Sequence, residues 1–135
     1  MKEENAAVIQ FKGYRVTEMS FLCSADYEFP EGEISYSFHF SKTFLPLSDT
    51  EIQENIGINL FYPGSETTME NAPYRLNVEI AGRFSSTSPW QPEWEQNAMA
   101  ILFPYLRSLV SLITSNSGRE PVILPTINIS SLFEP

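Results

Sequence analysis

Few residues in this chain are equipped to make or break a covalent bond. His39 is the one histidine and Cys23 the one cysteine of 135 residues. A His-rich metal cluster, a Ser-His-Asp site or a Cys-His pair would each have to pass through one side chain. His39 falls on the polar side of an alternating segment, among Ser35, Ser37 and Ser41, and reads as a surface residue. Cys23 lies in another alternating segment and reads as a buried, inert thiol; a lone cysteine also forms no intrachain disulfide. Aspartate is limited to Asp26 and Asp49, and the glutamates are scattered without a recognisable acid/base pairing. A glycine-rich phosphate loop, a Gly-x-Ser-x-Gly elbow and the His-Glu-x-x-His and Cys-x-x-Cys patterns are all missing from the sequence. The expectation is a protein that is not an enzyme and needs no metal or cofactor. What the chain does have in quantity is rings: ten Phe, six Tyr and two Trp, 13% aromatic. Their chemistry is apolar contact, so they fill a large core or serve as surface shared with a partner.

Four alternating segments carry most of these rings. The first, about Ile9 to Cys23, sets Ile9, Phe11, Met19, Phe21 and Cys23 on one parity, with Gly13 as a candidate bulge. The second, Ile34 to Phe44, points Ile34, Tyr36, Phe38 and Phe40 one way. The third, Ile56 to Tyr62, aligns Ile56, Ile58, Leu60 and Tyr62. The fourth, Tyr74 to Phe84, aligns Tyr74, Leu76, Val78, Ile80 and Phe84 against Arg75, Asn77, Glu79 and Arg83. Such alternation predicts antiparallel strands with one dry and one wet face. Turn-rich stretches separate them at Ala25–Gly32, Leu45–Thr50 and Pro63–Pro73.

After Pro92 the period changes. Trp94, Ala98, Ile101, Leu102, Tyr105, Leu109, Leu112 and Ile113 recur at spacings of three and four, which predicts one long amphipathic helix ended by Ser117-Gly118. Pro104 falls inside it, where a proline ordinarily costs about 3 kcal/mol. Four strands and one helix make an α+β layer pair in a single domain spanning 1–135. One helix cannot cover a whole four-stranded face. Phe103, Leu106 and Val110 lie off the main stripe, and with Leu109 they are the expected contacts of a homo-oligomer.

Composition narrows the partners. The formal net charge of -9 argues against sequence-independent nucleic-acid binding and against anionic membrane surfaces. Hydrophobic residues at 42% and a mean hydropathy of -0.17 fit a soluble globular chain. The start, Met1-Lys2-Glu3-Glu4-Asn5, is acidic and unlike a signal peptide. The most apolar stretch, Ala98 to Ile113, is shorter than a bilayer span and holds Pro104 and Arg107. A cytoplasmic protein without membrane insertion is expected.

Two C-terminal motifs carry a family resemblance. Leu102-Phe103-Pro104-Tyr105-Leu106-Arg107 resembles the Leu-Phe-Pro-Tyr-Ala-Arg helix signature of the SecB export chaperones, with Leu106 in place of the alanine. Pro121-Val122-Ile123-Leu124-Pro125, running into Asn128-Ile129-Ser130-Ser131-Leu132-Phe133, resembles the family's Pro-hydrophobic-Pro segment and its Asn-x-x-x-Leu-Phe continuation. Thr17 to Phe21 and Leu76 to Phe84 are similar to its first and fourth strands. The resemblance implies a four-stranded antiparallel sheet with a long C-terminal helix on one face, assembled as a dimer of dimers. It implies ATP-independent holding of unfolded or precursor polypeptides in apolar grooves, with Tyr27, Phe29, Ile34, Tyr36, Phe38, Leu132 and Phe133 as client contacts.

It also implies docking of the SecA motor on an acidic open sheet face, at the positions of Glu18, Arg75, Asn77 and Glu79. Only Glu18 matches the family's acids there; Leu22 and Asn77 stand where two others would be, and Arg75 brings an opposite charge. SecA docking is therefore expected to be weak. Two alternatives follow: a chaperone dedicated to the antitoxin of a toxin–antitoxin system, or a small-molecule-binding or enzymatic α+β domain on the same fold.

Overall fold

A computed structural model describes residues 8–32, 34–62 and 67–125. Strands β1 (Ile9–Cys23), β2 (Ser37–Pro46), β3 (Glu51–Phe61) and β4 (Tyr74–Ser86) are followed by a helix, α1 (Trp94–Thr114). The sheet order is β1-β4-β3-β2, and all three pairings are antiparallel. β2, β3 and β4 form a meander. The chain after β1 therefore has to travel from one edge of the sheet to the other before β2 begins.

Alternation sorts the two central strands. Ile52, Ile56, Ile58 and Leu60 of β3 are buried with Tyr74, Leu76, Val78, Ile80 and Phe84 of β4, and α1 lies over both strands and part of β1. Helix and sheet meet closely at Gly82. A methyl group there would overlap Leu102 Cδ2, so the missing side chain lets the helix sit down on the sheet.

β1 departs from simple alternation through register shifts at Phe11/Gly13 and Val16/Glu18. Gly13 takes φ +112, a conformation that side chains resist. Each bulge flips the parity once, so the two cancel. Ile9, Phe11, Met19, Phe21 and Cys23 do share the helix-side face, and Tyr14 and Val16 join them between the bulges, opposite Gly82 and Ile80. The edge position leaves the far half of this row uncovered. Met19 is 48% exposed, and Cys23, expected from the sequence to be buried, is an exposed free thiol.

The helix is also turned relative to the sequence expectation. Its buried residues are Ala98, Met99, Leu102, Phe103, Leu106, Val110 and Thr114. Phe103, Leu106 and Val110, expected on an outer, oligomer-facing side, belong to the protomer core. Leu109 is half-buried on the flank, Tyr105 packs partly exposed against Phe11 and Tyr14 of β1, and Leu112 faces outward. α1 is apolar around most of its circumference, so periodicity alone did not fix which arc meets the sheet. At 21 residues it is long and apolar enough, by length and composition, to cross a membrane, although the Ala98–Ile113 stretch read as too short. Its buried arc is instead the lid of the sheet. Helical assignment continues through Pro104, which is exposed like Ala100 four residues before it, so water can replace the hydrogen bond that proline removes.

Candidate functional site

β2 is an edge strand, and its helix-side row of rings is only half covered. Tyr36, Phe38, Phe40 and Phe44 are all half-buried along it. Opposite the start of this row runs the chain that leaves α1. Thr114 Oγ1 donates to Val110 O at 2.7 Å and accepts from the Val122 backbone N–H at 2.8 Å, while Ser111 Oγ donates to Val122 O at 3.0 Å. Both backbone groups of Val122 are thus clipped to the last turn of the helix, and Val122 and Leu124 are buried. Gly118, at φ +85, makes the turn that returns the chain.

Between these two walls lies an open groove of about 890 Å³. Ile34, Tyr36 and Phe38 form one side, and Pro121, Val122, Ile123 and Pro125 the other. Ile123 is 71% exposed and adds apolar surface to this wall. Among the described residues, Arg119 and Glu120 are the charged ones lining the groove. Ile34, Ser35 and Tyr36 make no backbone–backbone hydrogen bond among the described residues.

Rings brace the floor of the groove from behind. Tyr36 packs on the fully buried Tyr74 at 5.2 Å and on Tyr62 at 6.2 Å. Phe29 meets Tyr74 at 5.4 Å and Tyr62 at 5.8 Å, and Tyr27 meets Phe29 at 5.2 Å. The Arg119 guanidinium lies 5.0 Å from the centre of the Phe29 ring, a cation–π contact that ties the C-terminal wall to this cluster. Burial pushes the Tyr74 and Tyr36 phenols upward from their ordinary range, so both stay neutral.

Ile34, Tyr36 and Phe38 therefore line the groove, whereas Tyr27 and Phe29 support it from the second row. Leu132 and Phe133 lie outside the described residues. The sequence singled out Pro121 to Pro125 as a motif without assigning it a wall. Its signal is prolines bracketing an apolar run just after a helix stop.

A second site of interest sits at the other end of β2. Glu54 is fully buried on the helix side of β3, with neither carboxyl oxygen hydrogen-bonded among the described residues. Burial, and then the nearby Glu95, push its pKa up to about 9, so it is a neutral acid at pH 7. Glu95, in the first turn of α1, pairs with Lys42 of β2 at 3.4 Å. This cluster joins β2, β3 and the start of the helix.

The four positions expected to dock a motor share the open sheet face. Glu18 is the register partner of Glu79, Ser20 of Asn77, and Leu22 of Arg75. Thr17 Oγ1 donates to a Glu79 carboxylate oxygen at 2.6 Å. His39 is exposed, as expected, and its ring lies 5.8 Å from Phe61.

With this geometry the chain can be set beside known proteins. No family model matches it. It is 30% identical to an uncharacterized protein of Methanocaldococcus jannaschii, over 98% of this chain and 87% of that one. It is 28% identical to the protein-export protein SecB of Anaplasma phagocytophilum, over 76% of this chain and 72% of that one. Among solved structures, a SecB-like chaperone of Mycobacterium tuberculosis, in complex with a ChAD peptide from the HigA1 antitoxin, superposes with a TM-score of 0.68. The two are 16% identical, and the match covers 89% of this chain and 91% of that one.

Proposed function

We propose that this chain, similar in sequence to SecB and in fold to a SecB-like chaperone, is an ATP-independent holdase that takes up extended, unfolded segments of other proteins in the groove between Ile34–Phe38 and Pro121–Pro125. The observation that carries this is the groove itself: aromatic and branched walls, one exposed isoleucine, and an adjacent free strand edge. Apolar walls of this kind accept many side chains without demanding one shape. Backbone along the approach to β2, which bonds no other backbone among the described residues, would satisfy the peptide groups of an extended client. Several such grooves in one assembly would add weak contacts into useful avidity.

Assembly is part of the same reading. Tyr14, Val16 and Met19 on β1 and Tyr105 and Leu112 on α1 are all exposed, and the Tyr14 and Tyr105 rings touch at 4.7 Å. An apolar surface of this kind is what a homo-oligomer, a dimer of dimers in this family, would bury.

A second reading is a chaperone dedicated to one antitoxin, favoured by the antitoxin peptide held by the Mycobacterium tuberculosis neighbour. Export through SecA is less favoured, because Leu22, Asn77 and Arg75 leave the open face with few acids.

The test is aggregation of a chemically unfolded protein diluted into buffer without nucleotide. At stoichiometric amounts this chain is expected to suppress light scattering from several unrelated clients. Protection of none would overturn the holdase reading, and protection of an antitoxin alone would select the second.

A further inference from the structure

On the open face of the sheet, away from both the groove and the helix, a shallow concavity of about 220 Å³ sits where β1 bulges at Gly13. Lys12, Arg15 and Arg83 line it, together with Gln53. These are three of only eight Lys and Arg in a chain of net charge -9. None of the three makes an ion pair or a hydrogen bond among the described residues. No carboxylate among the described residues lines the concavity. The space exists because of the bulge: Gly13 pairs with Arg83, and a Cβ built on Gly13 would meet no atom within 4 Å.

Three cations without an anionic partner among the described residues, gathered around one concavity, call for anions from outside. We propose that this patch is a docking site for a short acidic polypeptide segment. Its width argues for several carboxylates in place of one small oxyanion. The lining residues come from three adjacent strands, which span about 10 Å. Its borders argue against a long polyanion. Glu51 of β3 and Glu79 of β4 lie on the same face at either side, and the charge of the whole chain repels nucleic acid. The partner is therefore an acidic stretch two or three carboxylates long. This site is independent of the groove and its clients.

The experiment uses the full chain and a fluorescein-labelled peptide bearing three glutamates at alternate positions, read by anisotropy at low salt. A counterpart with lysine in place of each glutamate serves as the control. The glutamate peptide is expected to bind, the lysine peptide not, and added salt to weaken binding. Arg15→Glu with Arg83→Glu is expected to weaken it by about tenfold or more. Both side chains are exposed, so circular dichroism should be unchanged; Lys12→Glu provides a second, separate variant. A groove variant, Ile34→Ser, should bind the acidic peptide as the parent does. Equal binding of the lysine peptide, or indifference to the charge reversals, would overturn the proposal. So would inorganic phosphate displacing the peptide at matched ionic strength, since one oxyanion would then suffice.

Discussion

Replacing Glu54 by glutamine should change how the stability of this protein depends on pH. In the folded chain the Glu54 carboxyl is fully buried, and its pKa stands at about 9 against an ordinary 4.5. Between those two values the unfolded chain releases a proton that the folded chain keeps. The contribution of Glu54 is thus complete below the unfolded value and is lost as pH rises toward the folded one, at about 1.4 kcal/mol per pH unit. From pH 6 to pH 8 the loss is about 2.7 kcal/mol, a large share of a small domain's total. Glutamine keeps the size and the neutrality but has no proton to lose. Urea denaturation of parent and Glu54→Gln at pH 6, 7 and 8 measures the difference, in which the other titrating groups cancel. Glutamine imitates the neutral acid at every pH, so the variant should already lead the parent at pH 6, and its lead should widen by about 2.7 kcal/mol between pH 6 and pH 8. Parallel pH curves would refute the reasoning, because they would mean that Glu54 is not held neutral.

Other consequences follow from the same contacts. Gly82→Ala forces a methyl into Leu102 and should cost about 1–3 kcal/mol, seen as a lower Tm by calorimetry. Leu112, 65% exposed on α1, can become glutamate without harm to the protomer; light scattering should show a smaller particle if this face is buried between subunits, and an unchanged mass would remove it from the interface. Binding of a SecA zinc-domain peptide should be weak by titration calorimetry and stronger in Asn77→Glu with Arg75→Leu, each exposed charge contributing about 0.2–1 kcal/mol. Submicromolar binding to the parent would contradict this.

The central strands were legible in the sequence because burial on one face leaves a period of two that nothing else imitates, as in Tyr74 to Phe84. Edges and ends were less so. β3 begins at Glu51, five residues before its alternation was recognised, because Glu54 occupies an inward position where an apolar residue would be expected. β2 continues through Leu45 and Pro46, which read as a loop; proline is tolerated there because an edge strand has a side that needs no donor. The two bulges in β1 hid each other, since together they restore the original parity. The family resemblance, and not the ring pattern alone, pointed to Ile34, Tyr36 and Phe38. The opposite wall depends on Thr114 and Ser111 clipping Val122, a contact between side chains and backbone that leaves no periodic trace. The basic concavity was equally silent, because Lys12, Arg15 and Arg83 converge only once β1 has bulged and paired with β4.

The groove is tested most directly by emptying its two walls without touching the core. Ile34 is half-buried and Ile123 exposed, so Ile34→Ser with Ile123→Ser should leave the circular dichroism and the assembly unchanged. A fully buried isoleucine contributes about 1.5–3 kcal/mol, so losing even part of that at both positions should weaken binding of an extended apolar peptide by about tenfold or more. Measured by anisotropy without nucleotide, that loss is the result expected of a client groove. An unchanged Kd in a folded double variant would contradict it.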